Sequence, residues 1–480
     1  MRKTVRRTFW IIAAVLLTVA CTSKLSQIVV QKDAYGKNAE FMSRSEEYDV
    51  LFFGTSHMME GVLPMELWDG YGITSYNLAG NAHSIPTTYW IMMNALDYAS
   101  PQLVVVDCFR LEADGKSSGS FGHQSFDSIP FSPNKVRAVW DIYDSANERI
   151  AYLWNYSLYH DRWNVINQDE IMPQPKPEKG AYFGTIVAEP DPAEPALEEA
   201  AAIESDGVDY LRKLIEECQR RDIEILLTFV PFPATAQDRQ SAGYAEKLAQ
   251  EYGVDYINFL DLDTVNYETD CNDAFSHLNA SGAGKVTDYL GAYMKERYNV
   301  ADHRSDELAD RWNADYQDYL SYKISRIAGL ESLKNCLMML SDPNLSCCVY
   351  VREDSGLWKS DDVYAALIRN IAGQEELSGL WQAQETDGGY LLVADKGSGQ
   401  ITEYTGAQEA EVNTSFGRVC CAAGSEGRVL YVGEGEQNYL AEQEDEEGFP
   451  AVTVIVVNNL NGSVVHVGRF YDEYRVRGEK

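Results

Sequence analysis

The sequence predicts an α/β protein: a doubly wound parallel sheet of five strands, with a separate β-rich α+β domain behind it. Three observations carry this. Short, wholly apolar runs such as Val50 to Phe53 and Leu103 to Val106 close on glycine, small polar residues or aspartate, as strands buried on both faces do at the carboxyl edge of a parallel sheet. Segments of helical period separate those runs. From about Ser346 the texture changes to brief strands (CCVYVRE, GYLLVAD, GRVCCAA, GRVLYVGE, VTVIVVNN, SVVHVGRFY) between Gly, Asn and Asp turns, which reads as a second, β-rich body.

The N-terminus reads as an address. Arg2, Lys3, Arg6 and Arg7 precede an apolar run from Phe9 to Ala20, the pattern of a signal peptide or signal anchor. Leu17 to Cys21 (LTVAC) has the form of a lipoprotein cleavage box; the alternative is an uncleaved helix from about Phe9 to Val30. Both place the body outside the cytoplasmic membrane, tethered by a lipid on Cys21 or by a helix. Residues 1–30 are therefore expected to be the anchor, 31–300 the sheet domain, 301–340 a charged helical connector and 341–480 the β-rich accessory domain.

Within the sheet domain, Gln31 to Glu47 is a polar connection. The first strand, Val50 to Phe53, runs into Gly54-Thr55-Ser56. Ile73 to Ala79 is the second strand, Pro86 to Tyr98 a helix, and Leu103 to Val106 the third strand, closing on Asp107. A long insertion comes next: a Gly/Ser-rich loop, an aromatic helical stretch from Asn134 to Trp163, and a proline-rich loop from Pro173 to Pro195. The pattern resumes with a helix from Val208 to Arg221, a strand from Ile223 to Val230, a helix from Tyr244 to Tyr252 and a fifth strand from Val254 to Leu260. An acidic loop then reaches Ser276-His277-Leu278-Asn279 and a closing helix, Ala283 to Tyr298. In the accessory domain one helix, Ser360 to Ile371, stands out.

Composition narrows the partners. The 480 residues are 45% hydrophobic and include 30 tyrosines, which argues for packed cores. The net charge of −34 repels nucleic acid and anionic membrane surfaces as main partners. Nine cysteines form no spaced framework, and no Cys/His set has the spacing of a metal site. No cofactor is expected.

The chemistry-bearing pattern is the order Ser, Asp, His at the carboxyl ends of the first and last strands. A serine nucleophile needs a base in reach and a third group to orient that base. Ser56 ends the first strand, where a succeeding helix can aim N–H groups at an oxyanion; its bland role would be to cap that helix. Asp270, Asp273 and His277 come after the last strand.

In the blocks VLFFGTSH, YNLAGNAHS, LVVVDCF and DAFSHLNASGAGK, with YHDRW (Tyr159 to Trp163) and Lys179-Gly180 between, the chain resembles the SGNH/GDSL hydrolase superfamily. It is most similar to the membrane-anchored extracytoplasmic branch related to DltD and AlgX-type acyl-transfer proteins, over about Gln31 to Tyr298. The resemblance implies a flavodoxin-like sheet, Ser56 as nucleophile and His277 as base. The family places its acid three residues before the histidine, where this chain has Ala274; Asp273, four before, is preferred to Asp270, seven before. Oxyanion donors are then the N–H groups of Ser56 and Gly80. The GxND block that supplies a third is absent, so Asn81 and then Asn77 are the substitutes, Asn77 having a satisfied strand-end asparagine as its alternative. His57, His160 and Arg162 are candidates for substrate binding, with a first-turn helical residue and an Arg paired to Asp161 or Asp107 as the plain alternatives. The C-terminal strands resemble, more faintly, an interleukin-like EMT inducer domain.

What the resemblance implies is an exported, tethered serine esterase or O-acyltransferase acting on an acylated cell-envelope glycan, with a membrane-bound O-acyltransferase as a further candidate partner. The competing expectation is an inactive scaffold that binds glycan or a partner protein. A chain from Gln31 to about Asn299 is expected to fold alone.

Overall fold

The computed structural model describes residues 2–30, 37–167, 176–195, 202–274, 277–406, 409–424, 427–432, 438–440, 448–471 and 474–475. Residues 31–36 of the polar connection, the start of the proline-rich loop at 173–175, and Ser276 lie outside them. The fold is α/β, with a five-stranded parallel sheet and separate antiparallel β-rich sheets.

Chain contacts divide the described residues into two compact units. The first is Met1–Tyr182, Ala193–Thr264 and Val286–Tyr316; the second is Phe183–Pro192, Val265–Lys285 and Gln317–Lys480. The division does not respect chain order: two short segments of the expected sheet domain group with the C-terminal part.

The first unit holds the parallel sheet: β1 (Val50–Phe53), β2 (Ser75–Asn77), β3 (Leu103–Asp107), β4 (Glu224–Phe229) and β5 (Asp255–Asn258), in the order β2-β1-β3-β4-β5. That is the doubly wound order in which ligands bind beyond the carboxyl ends of the strands. Leu51 stands beside Tyr76 and Val104, Leu103 beside Glu224, and Thr228 beside Ile257. Residues 50–53 and 103–106 are wholly buried, which is why those strands read as unbroken apolar runs.

Besides a helix at Pro64–Tyr71 that the sequence expectation does not include, three differences from that expectation stand out. The second strand is shorter, Ser75–Asn77. The helix expected from Tyr244 begins at Ala236 and runs to Tyr252. Its first two turns are polar, so periodicity misses them; the signal is a capping box in which the Thr235 hydroxyl accepts from Asp238 N–H and the Asp238 carboxylate accepts from Thr235 N–H. The third concerns the accessory part, where the helices Leu357–Ser360 and Ser378–Thr386 flank the expected one, seen at Val363–Ala372.

At the N-terminus the helix Arg2–Val29 ends with Val29 and Val30 packed against Tyr159, while the Arg162 guanidinium donates to the Val29 carbonyl (2.9 Å). Among the described residues no helix is long and apolar enough to cross a membrane. Elsewhere in this unit, the buried Lys179 ammonium pairs with Glu40 (2.8 Å) and Asp315 (2.9 Å), beside Trp312. Lys179-Gly180 is thus a strut, and it also holds β2, because Asn77 N–H donates to Lys179 O (3.0 Å).

The second unit contains the strands β6 (Leu345–Val351), β7 (Tyr390–Asp395), β8 (Gln400–Thr405), β9 (Ala410–Thr414), β10 (Gly417–Gly424), β11 (Gly427–Val432), β12 (Asn438–Leu440), β13 (Val452–Asn458) and β14 (Ser463–Phe470). They form the antiparallel sheets β14-β13-β6-β7-β8 and β12-β11-β10-β9. Tyr350, Leu391 and Ile455 of one share an apolar core with Val419, Leu430 and Val432 of the other, the sandwich solution to burying two one-sided sheets.

Candidate active site

Ser56 follows a sharp turn in the first unit. β1 ends at Phe53, Gly54 takes φ +148°, Thr55 returns to extended backbone, and the helix Ser56–Gly61 begins. The glycine is required twice over. Its φ is one that side chains avoid, and a Cβ there would lie 2.8 Å from the Cβ of Asp107 and 3.2 Å from that of Met58. Thr55 caps the helix: its hydroxyl accepts from His57 N–H (3.2 Å). Capping therefore falls to Thr55, and Ser56 is the first helical residue. From Val50 to Met65 every residue is buried except Ser56.

The residues nominated around it divide by task. Asn77, fully buried, donates from its amide to the carbonyls of Met58 (2.9 Å) and Val62 (3.0 Å), and its Oδ1 accepts from Ala79 N–H (3.1 Å). It ties the far end of the Ser56 helix to β2, the satisfied asparagine of the alternative reading. Gly80 N–H donates to Gly54 O (3.2 Å). Asn81 is half-buried and donates to Gln124 Oε1 through a solvent-exposed bond (3.3 Å). His57 is buried, its ring stacked on Phe109 (centroids 3.9 Å apart) and tilted against Phe232 (4.5 Å). His160 is exposed, its Nδ1 3.2 Å from Ser157 O, and Arg162 holds the Val29 carbonyl.

Two residues that sequence reasoning left aside flank Gly54. His83, buried, sits so close to Gly80 that a Cβ on the glycine would be 2.5 Å from its Nε2, and that Nε2 is 2.5 Å from Ser125 Oγ. Burial, and then the nearby Lys37 ammonium, push its pKa down to about 3, so the ring stays neutral. Asp107 lies on the other side. Burial pushes its carboxyl up to about 7, against the pull of the Val230 and Phe109 N–H groups and the Thr55 hydroxyl. The signal for Asp107 was an acid closing an apolar strand.

The second unit carries the Asp273–His277 pair. His277 N–H donates to Asp273 Oδ1 (3.2 Å), and His277 Nδ1 is bonded to Asp273 Oδ2. The pair spans a tight excursion whose ends are closed: Asn272 N–H donates to His277 O (2.8 Å), and Cys271 bridges Leu278. Asn279 fixes the start of the next helix. Its amide donates to Thr269 O (2.8 Å), and its Oδ1 accepts from the N–H groups of Ser281 (3.1 Å) and Gly282 (3.2 Å), capping the helix Ala280–Tyr298. Asp270 is fully buried and committed to Lys285 (2.7 Å) and Asn266 N–H (2.8 Å). With Nδ1 bonded to a carboxylate, an imidazole presents Nε2 as the basic atom, the arrangement of a general base held by its orienter.

No family model and no curated protein matches the chain. Among solved structures it is similar to a protein from Bacteroides fragilis NCTC 9343 assigned as an acylhydrolase, at 9% identity over 55% of this chain and 97% of that one, with a TM-score of 0.28. It is likewise similar to a GDSL-like lipase from Bacteroides thetaiotaomicron VPI-5482, at 11% identity over 56% of this chain and 98% of that one, again with a TM-score of 0.28.

Proposed function

We propose that the chain is an SGNH-type serine acyl-ester hydrolase or O-acyltransferase, with Ser56 as nucleophile and His277, oriented by Asp273, as general base. The observation that carries the reading is the partial exposure of Ser56 alone within a buried stretch: a turn that costs a strained glycine presents one hydroxyl at the carboxyl edge of the sheet. In this reaction Ser56 Oγ attacks the acyl carbon and its proton passes to His277 Nε2. The imidazolium, stabilised by Asp273, then protonates the departing alcohol. Water or a sugar hydroxyl resolves the acyl-enzyme by the reverse proton path. Developing charge on the acyl oxygen falls to the Ser56 N–H and the Asn81 amide, with Gly80 contributing when its N–H leaves Gly54 O.

The substrate in this reading is an acylated cell-envelope glycan and the enzyme is extracytoplasmic, held at the membrane by its N-terminal segment. The basic start and apolar run support that placement. A fluorophosphonate probe tests the chemistry: it should label the full chain, and Ser56→Ala should abolish labelling without shifting the thermal midpoint. Equal labelling of both would end the nucleophile assignment.

One observation favours a second reading, a non-catalytic module that binds glycan or a partner. The Gly80 N–H and every amide function of Asn77 are already engaged, which leaves fewer oxyanion donors than the family resemblance implies. Absence of labelling, with the fold intact, selects it.

A further inference from the structure

Beneath the turn that presents Ser56 lies a carboxyl that the proposed reaction does not use. Asp107 closes β3 and is 1% exposed. Its Oδ1 accepts from Val230 N–H (3.2 Å), while its Oδ2 makes no well-formed hydrogen bond, the Phe109 N–H and Thr55 hydroxyl being donors close by. The cover over it is the Gly54–Thr55 turn, close enough that any Cβ at residue 54 would collide with the Asp107 side chain. β3 itself cannot yield, because it is paired along its length with β1 and β4.

The ionisable and charged groups facing this spot come from several elements. His83 approaches from beyond β2, with Lys37 behind it. Tyr256 faces it from β5, Cys108 is its neighbour in the chain, and His57 stands in the helix that the turn begins. Burial pushes the Cys108 thiol and the Tyr256 phenol further up and holds His83 neutral. Asp107 is the carboxyl of this set with its proton poised near neutrality. A buried carboxylate with an oxygen left bare is costly, and the cheapest relief is for the part of its cover that is a turn, not a paired strand, to lift and admit water.

We propose that Asp107 is a positioning residue that holds the Gly54–Thr55 turn in place only while protonated, so that loss of its proton releases the turn and withdraws Ser56 from reactivity. The catalytic consequence rests on the hydrolase reading; the movement of the turn does not.

The test is hydrogen–deuterium exchange of the segment 54–60 in the full chain, corrected for intrinsic rate, between about pH 6 and about pH 8.5. Linkage makes the opening constant rise about tenfold per pH unit up to the pKa of the buried acid and level off above it, so the wild-type segment should lose protection by about tenfold across this window and then plateau. Asp107→Asn should be flat; Asp107→Leu, which also has no proton to lose, serves if the amide variant fails to fold. His57→Phe should keep the dependence, which assigns it to Asp107. A flat wild type, or an unchanged slope in Asp107→Asn, overturns the proposal. Fluorophosphonate labelling gives the second arm. Its rate should fall on the alkaline side in the wild type and continue to rise in Asp107→Asn. A turn that responds in a protein that never labels leaves this inference standing and removes the hydrolase reading. Labelling with identical pH profiles in both proteins does the opposite.

Discussion

Asp270 and Asp273 are three residues apart and hold opposite tasks. One is sealed against Lys285 and Asn266; the other stands on an imidazole, partly open to solvent. Asp273→Asn should therefore cut turnover of a small acyl ester by up to about 10⁴ while leaving urea unfolding nearly unmoved. Asp270→Ala should cost about 3 kcal/mol of stability, because it removes the fully buried carboxylate that pairs Lys285 and accepts from the part-buried Asn266 N–H. A reversed pattern would show that Asp270 is the orienter. Asn77 and Asn81 separate in the same way. Asn77→Ala strands the Val62 carbonyl that closes the Ser56 helix and removes one of two donors to Met58 O, and should destabilise by about 2–3 kcal/mol. Asn81→Ala, which loses only a solvent-exposed bond to Gln124, should lower turnover with little change in the unfolding midpoint. Comparable stabilities for the two would mean that Asn77 is no strut. These distinctions mark how far the sequence is legible. The family resemblance, which puts the acid three residues before the histidine, nominated Asp273 and ranked it above Asp270 as the nearer carboxylate. The strut role of Asn77, the aromatic box around His57 and the grip of Arg162 on Val29 are contacts between distant parts of the chain, and no local pattern records them.

At the level of elements, β1 and β3 could be read almost residue for residue, since burial on both faces leaves them no polar position. β2 could not, because the apolar residues Ile73, Leu78 and Ala79 lie outside it and its length is set by pairing with β1. The turn between β1 and the Ser56 helix is the element under greatest constraint. Gly54→Ala should lower the unfolding free energy by about 1–3 kcal/mol from backbone strain alone, with the collision on Asp107 added, and should abolish probe labelling. A stable, labelled Gly54→Ala would show that the turn tolerates another path. The acid below it has a thermodynamic signature as well. The folded chain keeps the Asp107 proton up to about pH 7, whereas the unfolded chain releases it near about pH 3.9. The folded-state pKa is raised, so the group is neutral to stability below that lower value. It then penalises folding increasingly as pH rises, by about 1.4 kcal/mol per unit, and levels off above about 7. Asp107→Asn should gain on the wild type across that window; parallel stability curves would place the proton elsewhere.

The whole molecule divides where chain order does not. Residues 265–285, with Asp273 and His277, group with the C-terminal unit. There Asn370 donates to Thr269 Oγ1 (2.9 Å) and Asn335 accepts from Val187 N–H (2.9 Å). A chain ending near Asn299 keeps all five parallel strands but loses these partners of the histidine loop. We expect such a truncation to retain the circular dichroism of an α/β fold and to lose probe labelling, unlike the independent catalytic domain that the sequence alone suggests. Full-rate labelling of the truncated chain would show that the loop holds its shape unaided. The sequence could locate the change of texture near Ser346, because strand and turn composition is local. It could not reveal that an earlier loop packs with the C-terminal strands and helices.

The hydrogen bond from Arg162 to Val29 has a mechanical meaning. If the body hangs from a membrane by its N-terminus, any pull on the tether first meets the contact of Val29 and Val30 with Tyr159 and Arg162, in the insertion between β3 and β4. Under that proposal such a clamp would act as a strain relief: load would be taken up by the insertion before it reaches β1, and the geometry around Ser56 would be isolated from movement of the tether.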